Sequence, residues 1–394
     1  MNNEKSVRLR TGKKGVLRPH HPWIFKNQLL KTDPAIKPGG VISVTDGSGK
    51  FIGRGYYNPK SEIAVRLFTF IDEPVDNDFF RKKIAQAIDS RKGLSSITNA
   101  YRLVFSEADS LPGLIADIYN DTVVFQALTL GIDKFKPEIT DAIDDILKPK
   151  HIYEKSVSPF RALEGMKDAA GWWGDPGKGL VEISEGKARF LVDIVNGHKT
   201  GFYLDQRKSR MALESIAKGR KVLDLFCYTG GFSVSAAIYG ASYVRGAEIK
   251  GPWLELAAEN AKLNNVGERI EFVRGDAFEV LKDINDSGEK FDIIIADPPS
   301  FLKSRESIAS ATKGYKELNV LAMQALSGEG ILATFSCSHN MPNELFSKMI
   351  KEACARAGKK FTILKRCRQA EDHPIVKSIP ETGYLKGYFL KMSG

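Results

Sequence analysis

Two short stretches of this 394-residue chain carry residues that can do chemistry, and each follows a predicted strand. The apolar run 291–296 is of strand length and leads into Asp297-Pro298-Pro299-Ser300-Phe301. The run 330–336 ends in Ser336-Cys337-Ser338-His339. Open α/β sheets bind ligands outside the carboxyl ends of their strands. A carboxylate and a thiol are therefore expected at one site, where a thiol can act as a covalent nucleophile.

Three further acids, Asp224, Glu248 and Asp276, lie at or close to the end of a predicted strand. They indicate the kind of cofactor. A strand-end acid suits ribose hydroxyls, and Glu248 follows Asp224 by 24 positions (248 − 224), close to the spacing required. The turn after the first strand holds Thr229-Gly230-Gly231 and not the G-x-G-x-x-G of dinucleotide sites. Asp224 would repel a phosphate and attract an ammonium group, which favours S-adenosylmethionine. Any doubly wound domain remains an alternative, and Asp276 can instead cap a helix.

The elements that must hold these residues alternate between strand and helix from about Arg189 onward. After strand 221–226, helix 232–239 and strand 243–248, we predict helices at 252–264, 277–284, 315–326 and 343–357, and strands at 270–274, 291–296, 331–336, 361–368 and 384–390. Such alternation predicts a parallel sheet with helices on both faces. The fold class is α/β, with a doubly wound Rossmann-like sheet.

The N-terminal part is a separate, strongly basic segment. Residues 1–75 read as a small β-domain, with strands at 41–44, 50–56 and 63–70 between turn signals. They hold 13 Lys and Arg against 6 Asp and Glu, a net charge of +7 (13 − 6), where the whole chain has +10. Concentrated positive charge favours a polyanionic partner, and a solvated basic face is the alternative.

The middle segment, residues 76–188, reads as an α+β domain without a cluster of reactive residues. Helices are predicted at 78–90 and 136–147, and strands at 101–105, 114–118, 122–128 and 152–155. Trp172 and Trp173 lie between glycines, and we place them in a loop. There they would stack on bases or pack on a neighbouring domain.

The four cysteines, Cys227, Cys337, Cys354 and Cys367, are scattered and include no C-x-x-C pair. A disulfide framework and a structural zinc are both disfavoured. Cys227 also follows a predicted strand, which makes it the rival of Cys337 as nucleophile. Cys354 reads as a small buried apolar residue.

The composition is that of an ordinary soluble globular protein. No apolar run reaches the roughly 18 residues that a membrane helix needs. The first 15 residues lack the apolar core of a signal peptide. We therefore expect a cytoplasmic protein that contacts no membrane.

In combination the motifs resemble the bacterial ribosomal RNA large-subunit methyltransferase I family, over nearly the whole chain. The resemblance rests on the two strand-end motifs and on Lys199-Thr200-Gly201-Phe202-Tyr203-Leu204-Asp205-Gln206-Arg207, Gln369-Ala370-Glu371-Asp372-His373-Pro374 and Ile379-Pro380-Glu381-Thr382-Gly383-Tyr384-Leu385-Lys386-Gly387. Enzymes of this family methylate C5 of a cytosine in 23S rRNA with S-adenosyl-L-methionine. The resemblance implies a PUA-like RNA-binding barrel at 1–75, a middle α+β domain at 76–188 and a class I methyltransferase domain at 189–394.

The resemblance also implies roles for individual residues. Cys337 would attack C6 of the cytosine, and Asp297 would hydrogen-bond on the N3 side. Cofactor contacts are assigned to Lys199, Phe202, Gln206, Asp224, Phe226, Tyr228, Thr229, Gly230, Glu248, Ile249, Asp276, Ala277 and Asp297. Among these, Asp224 would lie near the methionine end, Glu248 would take the ribose hydroxyls and Asp276 would accept from the adenine amine.

The partners follow from the same resemblance. RNA contacts are assigned to Arg10, Lys13, Lys14, Arg18 and Trp23. The RNA partner would be 23S rRNA, no metal is implied, and a homodimer is an option. The family usually has Asp-x-Ser where this chain has Glu248-Ile249-Lys250, and a Glu can still accept both ribose hydroxyls.

Two other functions stay open. D-P-P-[SF] loops followed by an aromatic residue also occur in methyltransferases that act on exocyclic base amines, where Cys337 would be incidental. Phe301 stands one place later than in the commonest pattern of that kind. A non-catalytic RNA-binding ribosome-assembly factor would be expected to have lost some of the strand-end acids, and all of them are present here.

Overall fold

A computed structural model of the chain describes residues 5–12, 17–300 and 308–393. The chain divides into two compact units. The first unit comprises Met1–Ile183, Val192–Phe202 and Asp372–Thr382, and the second comprises Ser184–Leu191, Tyr203–Glu371 and Gly383–Gly394. The domain boundaries predicted after residues 75 and 188 remain predictions. Lys13, Lys14 and Phe301 lie outside the described residues.

The N-terminal part of the first unit contains a five-stranded sheet. In spatial order its strands are β1 (Ser6–Arg8), β3 (Val41–Thr45), β4 (Phe51–Tyr57), β5 (Val65–Thr69) and β2 (Trp23–Ile24). β4 requires a glycine at position 55, because a Cβ there would lie 2.1 Å from the carbonyl oxygen of Arg66. The register between β4 and β5 also shifts at this glycine, as a β-bulge would produce. The three predicted strands are present, whereas β1 and β2 are too short to leave a pattern.

A second five-stranded sheet follows in the first unit. Its spatial order is β10 (Ala169–Trp173), β9 (His151–Ser156), β8 (Thr122–Ala127), β7 (Leu114–Tyr119) and β6 (Ala100–Phe105). The helices of this part are α1 (Asn77–Asp89), α2 (Leu130–Lys134), α3 (Lys136–Leu147) and α4 (Pro159–Leu163). α1 begins after Asp76, whose side chain accepts a hydrogen bond from the Phe79 N–H, as an N-cap does. It buries Phe79, Phe80 and Ile84 in the core it shares with this sheet.

The loop predicted around the paired tryptophans is wrong. Trp172 and Trp173 end strand β10, which pairs antiparallel with β9. Trp173 donates a hydrogen bond from Nε1 to Glu154 (3.2 Å), and the Trp172 ring packs 4.8 Å from the ring of Tyr153. The flanking glycines read as turn signals, but pairing with β9 determines the local structure.

Two further strands, β11 (Leu180–Glu185) and β12 (Ala188–Asp193), form a two-stranded sheet. The second unit contains a larger sheet with the strands β13 (Lys221–Leu225), β14 (Tyr243–Glu248), β15 (Ile270–Arg274), β16 (Phe291–Ala296), β17 (Leu326–Ser336), β18 (Lys360–Cys367) and β19 (Lys386–Ser393). Its helices are α5 (Arg207–Met211), α6 (Gly231–Ile238), α7 (Gly251–Leu263), α8 (Ala277–Ser287), α9 (Ile308–Gln324) and α10 (Asn343–Ala357).

The large sheet has the order β15-β14-β13-β16-β17-β19-β18 in the described part of the chain. The first five strands of this order run parallel, and β19 runs antiparallel to both of its neighbours. Parallel strands joined by helices confirm the predicted doubly wound α/β fold. Buried apolar residues of α8, α9 and α10 join those of the central strands in one core. The carboxyl ends of β13, β14, β16 and β17 consequently meet at one edge of the sheet.

The strand boundaries differ from the predictions chiefly at β17. It begins at Leu326, opposite Phe291 of β16, several residues before the predicted start. Gly328 and Gly330 resemble a turn in the sequence, yet they lie within the strand. No described helix is long and apolar enough to span a membrane.

Candidate cofactor site and reactive strand ends

The turn after β13 adopts an unusual backbone conformation that places residues 226–230 at the sheet edge. Phe226 has φ +65°, Tyr228 has φ +51° and Gly230 has φ +82°. Positive φ is uncommon for residues other than glycine and clusters at functional sites. A side chain at position 230 would be strained by this φ, and its Cβ would lie 3.2 Å from that of Ala257. Helix α6 begins directly after Gly230.

Asp224 is a buried carboxyl just before this turn. It is 1% exposed and accepts a hydrogen bond from the Ser233 hydroxyl (2.6 Å). Burial raises the pKa of Asp224 to about 7, and the charges of Asp297 and Glu248 contribute in the same direction. A carboxyl in this environment gains its charge most easily when a cation approaches.

Glu248 ends β14 and is held by backbone donors. Its carboxylate accepts hydrogen bonds from the N–H groups of Tyr228 (3.2 Å), Ile249 (2.8 Å) and Lys250 (3.1 Å). A carboxylate offers about four acceptor positions, so roughly one remains for a ligand in this conformation. Three donors also fix the direction in which Glu248 points.

Asp276 caps helix α8. Its side chain accepts a hydrogen bond from the Phe278 N–H (2.9 Å). This N-cap role is the alternative that the sequence left open. Only one carboxylate oxygen takes part in this bond, so the other can still accept from a ligand. Ala277 is buried directly after it, and the Ile249 side chain is exposed.

Gln206 links the segment before α5 to the strand end that carries Asp297. It is 2% exposed, and its Nε2 donates to Asp297 Oδ2 at 3.0 Å. Its Oε1 is buried and accepts no hydrogen bond from any described residue. A buried acceptor without a partner fits a ligand with donor groups. Lys199 and Phe202, which the sequence placed in the same site, belong to the first unit.

Asp297 and Cys337 follow neighbouring strands. β16 and β17 pair in parallel, with Ala296 opposite Thr334. Asp297 comes directly after this pair, and Cys337 follows β17. Adjacent strands lie about 4.8 Å apart. Asp297 and Cys337 can flank one base only if their strands are neighbours, and β16 and β17 are. Cys337 is half-buried.

Lys386 fixes the segment that follows Cys337. It begins β19, opposite Ser336 of β17. Its buried ammonium donates 2.6 Å hydrogen bonds to the carbonyls of Ser338 and Met341. Burial lowers the pKa of Lys386 to about 8, and the negative charge of the Cys337 thiolate opposes that change. In the sequence, Lys386 is distinguished only as one residue of the motif 379–387.

Cys227 lies in a very different environment. It is 4% exposed, and burial together with the charges of Asp224 and Glu248 raises the pKa of its thiol well above the usual value. Because the thiolate is the nucleophile, this environment disfavours Cys227 in that role.

Tyr203 is a second residue of the site that the sequence analysis did not single out. Its ring packs edge-on against Tyr228 at 5.4 Å. Burial raises the pKa of Tyr203, with Tyr228, Asp297 and Cys337 adding to the effect. Tyr203 therefore lies among the candidate cofactor and reactive residues. Its position in the motif that also contains Gln206 was the available signal.

The C-terminal motif supports this edge of the sheet. The Tyr384 hydroxyl donates to Asp205 (2.6 Å), and the Asp205 carbonyl accepts from the Ala370 N–H (2.9 Å). The ring of Tyr384 also lies 5.3 Å from that of His339. These contacts position Asp205, the residue before Gln206, and His339, two residues after Cys337.

In the first unit, two of the residues assigned to RNA binding, Arg18 and Trp23, line a small cavity. Arg10 and Arg18 are exposed and Trp23 is half-buried. A cavity of about 120 Å³ is lined by Arg18, His21, Trp23, Phe25, Gln28 and Glu381. The Trp23 indole donates to Glu107 (2.8 Å), which fixes its ring. Neither Trp23 nor Phe25 belongs to the apolar core of the N-terminal sheet.

The acids at the sheet edge fit S-adenosylmethionine, which carries an ammonium, a sulfonium and a ribose. Asp224 is poised to face a cation, Glu248 is oriented by backbone donors, and Gln206 offers an acceptor. Among the described residues, no group of three or more His, Cys, Asp or Glu side chains could hold a metal ion.

Comparisons with known proteins agree with this assignment. Residues 7–70 match the model of a PUA-like domain, and residues 164–385 match that of an S-adenosylmethionine-dependent methyltransferase. The second match covers more than half of the chain and confirms the predicted cofactor. A candidate methyltransferase crystallised with SAH has 24% identity and a TM-score of 0.83, covering 98% of this chain and 99% of its own, which supports the fold.

Curated relatives extend the match over the whole length. The ribosomal RNA large subunit methyltransferase I of Tolumonas auensis is 41% identical over 385 residues, 96% of each chain. The Escherichia coli protein of the same name is 39% identical over 391 residues, 97% of this chain and 98% of its own. The chain belongs to the ribosomal RNA large subunit methyltransferase I family.

Proposed function

We propose that this protein methylates C5 of a cytosine in 23S rRNA, in the cytoplasm, through a covalent bond between Cys337 and C6. The observation that carries the proposal is the environment of Cys337. It follows the strand next to that of Asp297, and a buried ammonium, that of Lys386, holds the segment after it.

The chemistry explains why a thiol is needed. C5 of cytosine is a poor nucleophile, so the Cys337 thiolate first adds to C6 and makes C5 enamine-like. S-adenosylmethionine, when bound, supplies the methyl group that C5 takes. A base then removes the C5 proton, and the electrons of that C–H bond re-form the C5–C6 double bond as the Cys337 sulfur leaves. The thiolate is regenerated, and the product is 5-methylcytosine.

The surrounding residues support these steps. The carboxyl of Asp297, positioned by Gln206, would hydrogen-bond on the N3 side of the base. Lys386 places a positive charge near the thiol, which favours the thiolate electrostatically. Cys227 is disfavoured as nucleophile by its burial among acids.

The cofactor would lie along the edge formed by β13, β14 and α8. Asp224 would face the methionine end, Glu248 the ribose and Asp276 the adenine amine. The backbone of residues 226–230 would pass close to the ligand, as its positive φ values suggest. Lys199, Phe202, Thr229, Ile249 and Ala277 remain proposed contacts on the strength of the family resemblance.

The first unit would contribute RNA affinity through Arg10, Arg18 and Trp23. An aromatic ring held by Glu107 beside an exposed arginine suits an unpaired base and its phosphate. Substituting glutamine for Arg10 and Arg18 should weaken RNA binding and reduce its dependence on salt, while cofactor binding persists. An unchanged salt dependence would contradict this role.

Trapping the covalent adduct tests the proposal. Substrate RNA with 5-fluorocytosine at the target cannot lose a C5 proton, so it should hold the protein in a complex that survives denaturing gels. Cys337→Ala should abolish methylation and trapping while it retains cofactor affinity, and the matched variant Cys227→Ala should still trap. Near-normal turnover by Cys337→Ala would contradict the proposal and favour methylation of an exocyclic amine.

A further inference from the structure

The edge strand of the large sheet carries a second concentration of positive charge. Between Glu352 and Glu371 the chain contains six basic residues and no acidic one. They are Arg356, Lys359, Lys360, Lys365, Arg366 and Arg368. These residues supply +6 in 18 positions, a higher density than the +7 of residues 1–75. We call them the β18 cluster, since all but Arg356, which lies near the end of α10, are on β18 or immediately beside it.

The side chains of the β18 cluster face solvent and keep their charge available. All six residues are exposed, and none forms an ion pair within the described residues. The guanidinium carbon of Arg366 lies 5.5 Å from the ring centroid of Tyr388, its partner on β19. Most lysines and arginines on the rest of this sheet have acidic partners, as in the pair of Lys391 with Glu329.

The sheet register shows how close the β18 cluster lies to the strand end that precedes Cys337. β18 and β17 both run antiparallel to β19, so they run parallel to each other. Gly387 of β19 lies opposite Phe335 of β17 and opposite Cys367 of β18. The end of β18 therefore reaches the same sheet edge as the end of β17, two strand spacings away, or about 10 Å.

We infer that the β18 cluster binds the phosphate backbone of the RNA segment that flanks the target nucleotide. The inference rests on the proposed function, because it takes RNA as the substrate. A strand bound along β18 would lead from the outer edge of the sheet toward Cys337. Its phosphates would be neutralised by the exposed lysines and arginines, as in other protein contacts to nucleic-acid backbones.

Edge protection is the competing explanation for these cations. Lysines on an exposed edge strand prevent pairing with the edge of another copy. That role predicts self-association when the charges are removed, with no effect on RNA. An RNA-binding role predicts a loss of salt-dependent affinity, so the two explanations differ in what they change.

A triple variant, Lys360→Gln with Lys365→Gln and Arg368→Gln, separates them. RNA affinity would be measured by filter binding at several salt concentrations. Each lost phosphate contact should reduce the slope of log affinity against log salt by about 0.7 to 0.9, or about 2.4 in total. The gain in affinity between 200 and 50 mM salt should then shrink about 30-fold. The matched control replaces Lys218, Lys262 and Lys282, which are also exposed and unpaired within the described residues, and should keep the wild-type slope.

The outcomes distinguish this inference from the proposed function. A triple variant that binds RNA with the wild-type slope overturns the inference, whether or not the variant self-associates. A slope reduced equally in the control overturns it too. If self-association prevents the measurement, the single variants Lys365→Gln and Arg368→Gln should each lower the slope by about 0.8. Failure of the proposed function would instead appear as absent cytosine methylation by the wild-type protein, with the binding comparison still valid.

Discussion

Lys386 donates a 2.6 Å hydrogen bond from its buried ammonium to the backbone carbonyl of Ser338, the residue after Cys337. The two residues are 48 positions apart in the chain and meet because β19 pairs with β17. A second hydrogen bond joins the same ammonium to the carbonyl of Met341. We call this pair of hydrogen bonds the Lys386 clamp. The position of Cys337 therefore depends on a strand that carries no other candidate site residue.

Replacing Lys386 by methionine should slow the methylation step more than it weakens the binding of RNA or cofactor. Loss of both hydrogen bonds releases the segment after Cys337, and a displacement of about 1 Å can cost about 100-fold in rate. Loss of the ammonium should also move the acid limb of the pH–rate profile upward by about one pH unit, because the thiolate loses a nearby cation. Single-turnover methylation at a series of pH values measures both effects.

The matched control for this variant is Lys391→Met, on the same strand. Lys391 pairs with Glu329 at the surface, and its loss should leave rate and pH profile unchanged. A Lys386→Met enzyme that is slow but keeps the wild-type pH profile would indicate a purely structural role. Full activity in Lys386→Met would refute the proposal that the Lys386 clamp positions Cys337 for methylation.

Cofactor binding should depend on pH through Asp224. Burial raises its pKa from 3.8 to about 7, so the folded protein without cofactor holds a proton that the unfolded chain releases at a lower pH. Between pH 3.8 and about 7 the folded state therefore binds more protons than the unfolded state. The contribution of Asp224 to the free energy of unfolding falls as the pH rises through this range. A cofactor ammonium favours the carboxylate and should lower the pKa, so affinity should increase as pH rises through about 7.

Calorimetry in two buffers of different ionisation enthalpy measures the proton that binding releases. Near pH 6 the wild type should release a substantial fraction of one proton for each cofactor bound. Asp224→Asn should bind more weakly and release none through this group. The same proton release in Asp224→Asn would assign the titration to another residue.

The two strand-end cysteines should differ in reactivity toward an alkylating reagent. Cys337 is half-buried, whereas Cys227 is buried and has a thiol of raised pKa. In the native protein iodoacetamide should modify Cys337 at least about ten times faster than Cys227. Peptide mass spectrometry against time follows both sites, and denatured protein, where the rates should converge, is the control. Faster modification of Cys227 would reverse the assignment of the nucleophile.

The sequence was informative where the chemistry lies close to a regular strand. Asp224, Glu248 and Asp297 could be placed at one sheet edge because a buried parallel strand is an apolar run, and each of these acids lies within one residue of the end of such a strand. Their partners were harder to find. Lys386 comes from an antiparallel strand whose register no local pattern reveals, and Tyr203 lies in a segment without regular periodicity. Trp172 and Trp173 were misplaced because neighbouring glycines outweighed a pairing that only the tertiary structure provides.

Asp276 combines the two roles that its sequence left open, and substitutions can separate them. It caps α8 through the Phe278 N–H, and we propose that it also accepts from the adenine amine. Asp276→Ala should lose both, with a cost of about 0.5 to 2 kcal/mol in the free energy of unfolding and weaker cofactor binding. Asp276→Ser can still cap the helix but is too short to reach a ligand in the same way. We therefore expect Asp276→Ser to regain most of the stability without the affinity, as measured by denaturant unfolding and by calorimetry. Recovery of both would mean that Asp276 acts on the cofactor only by holding the helix in place.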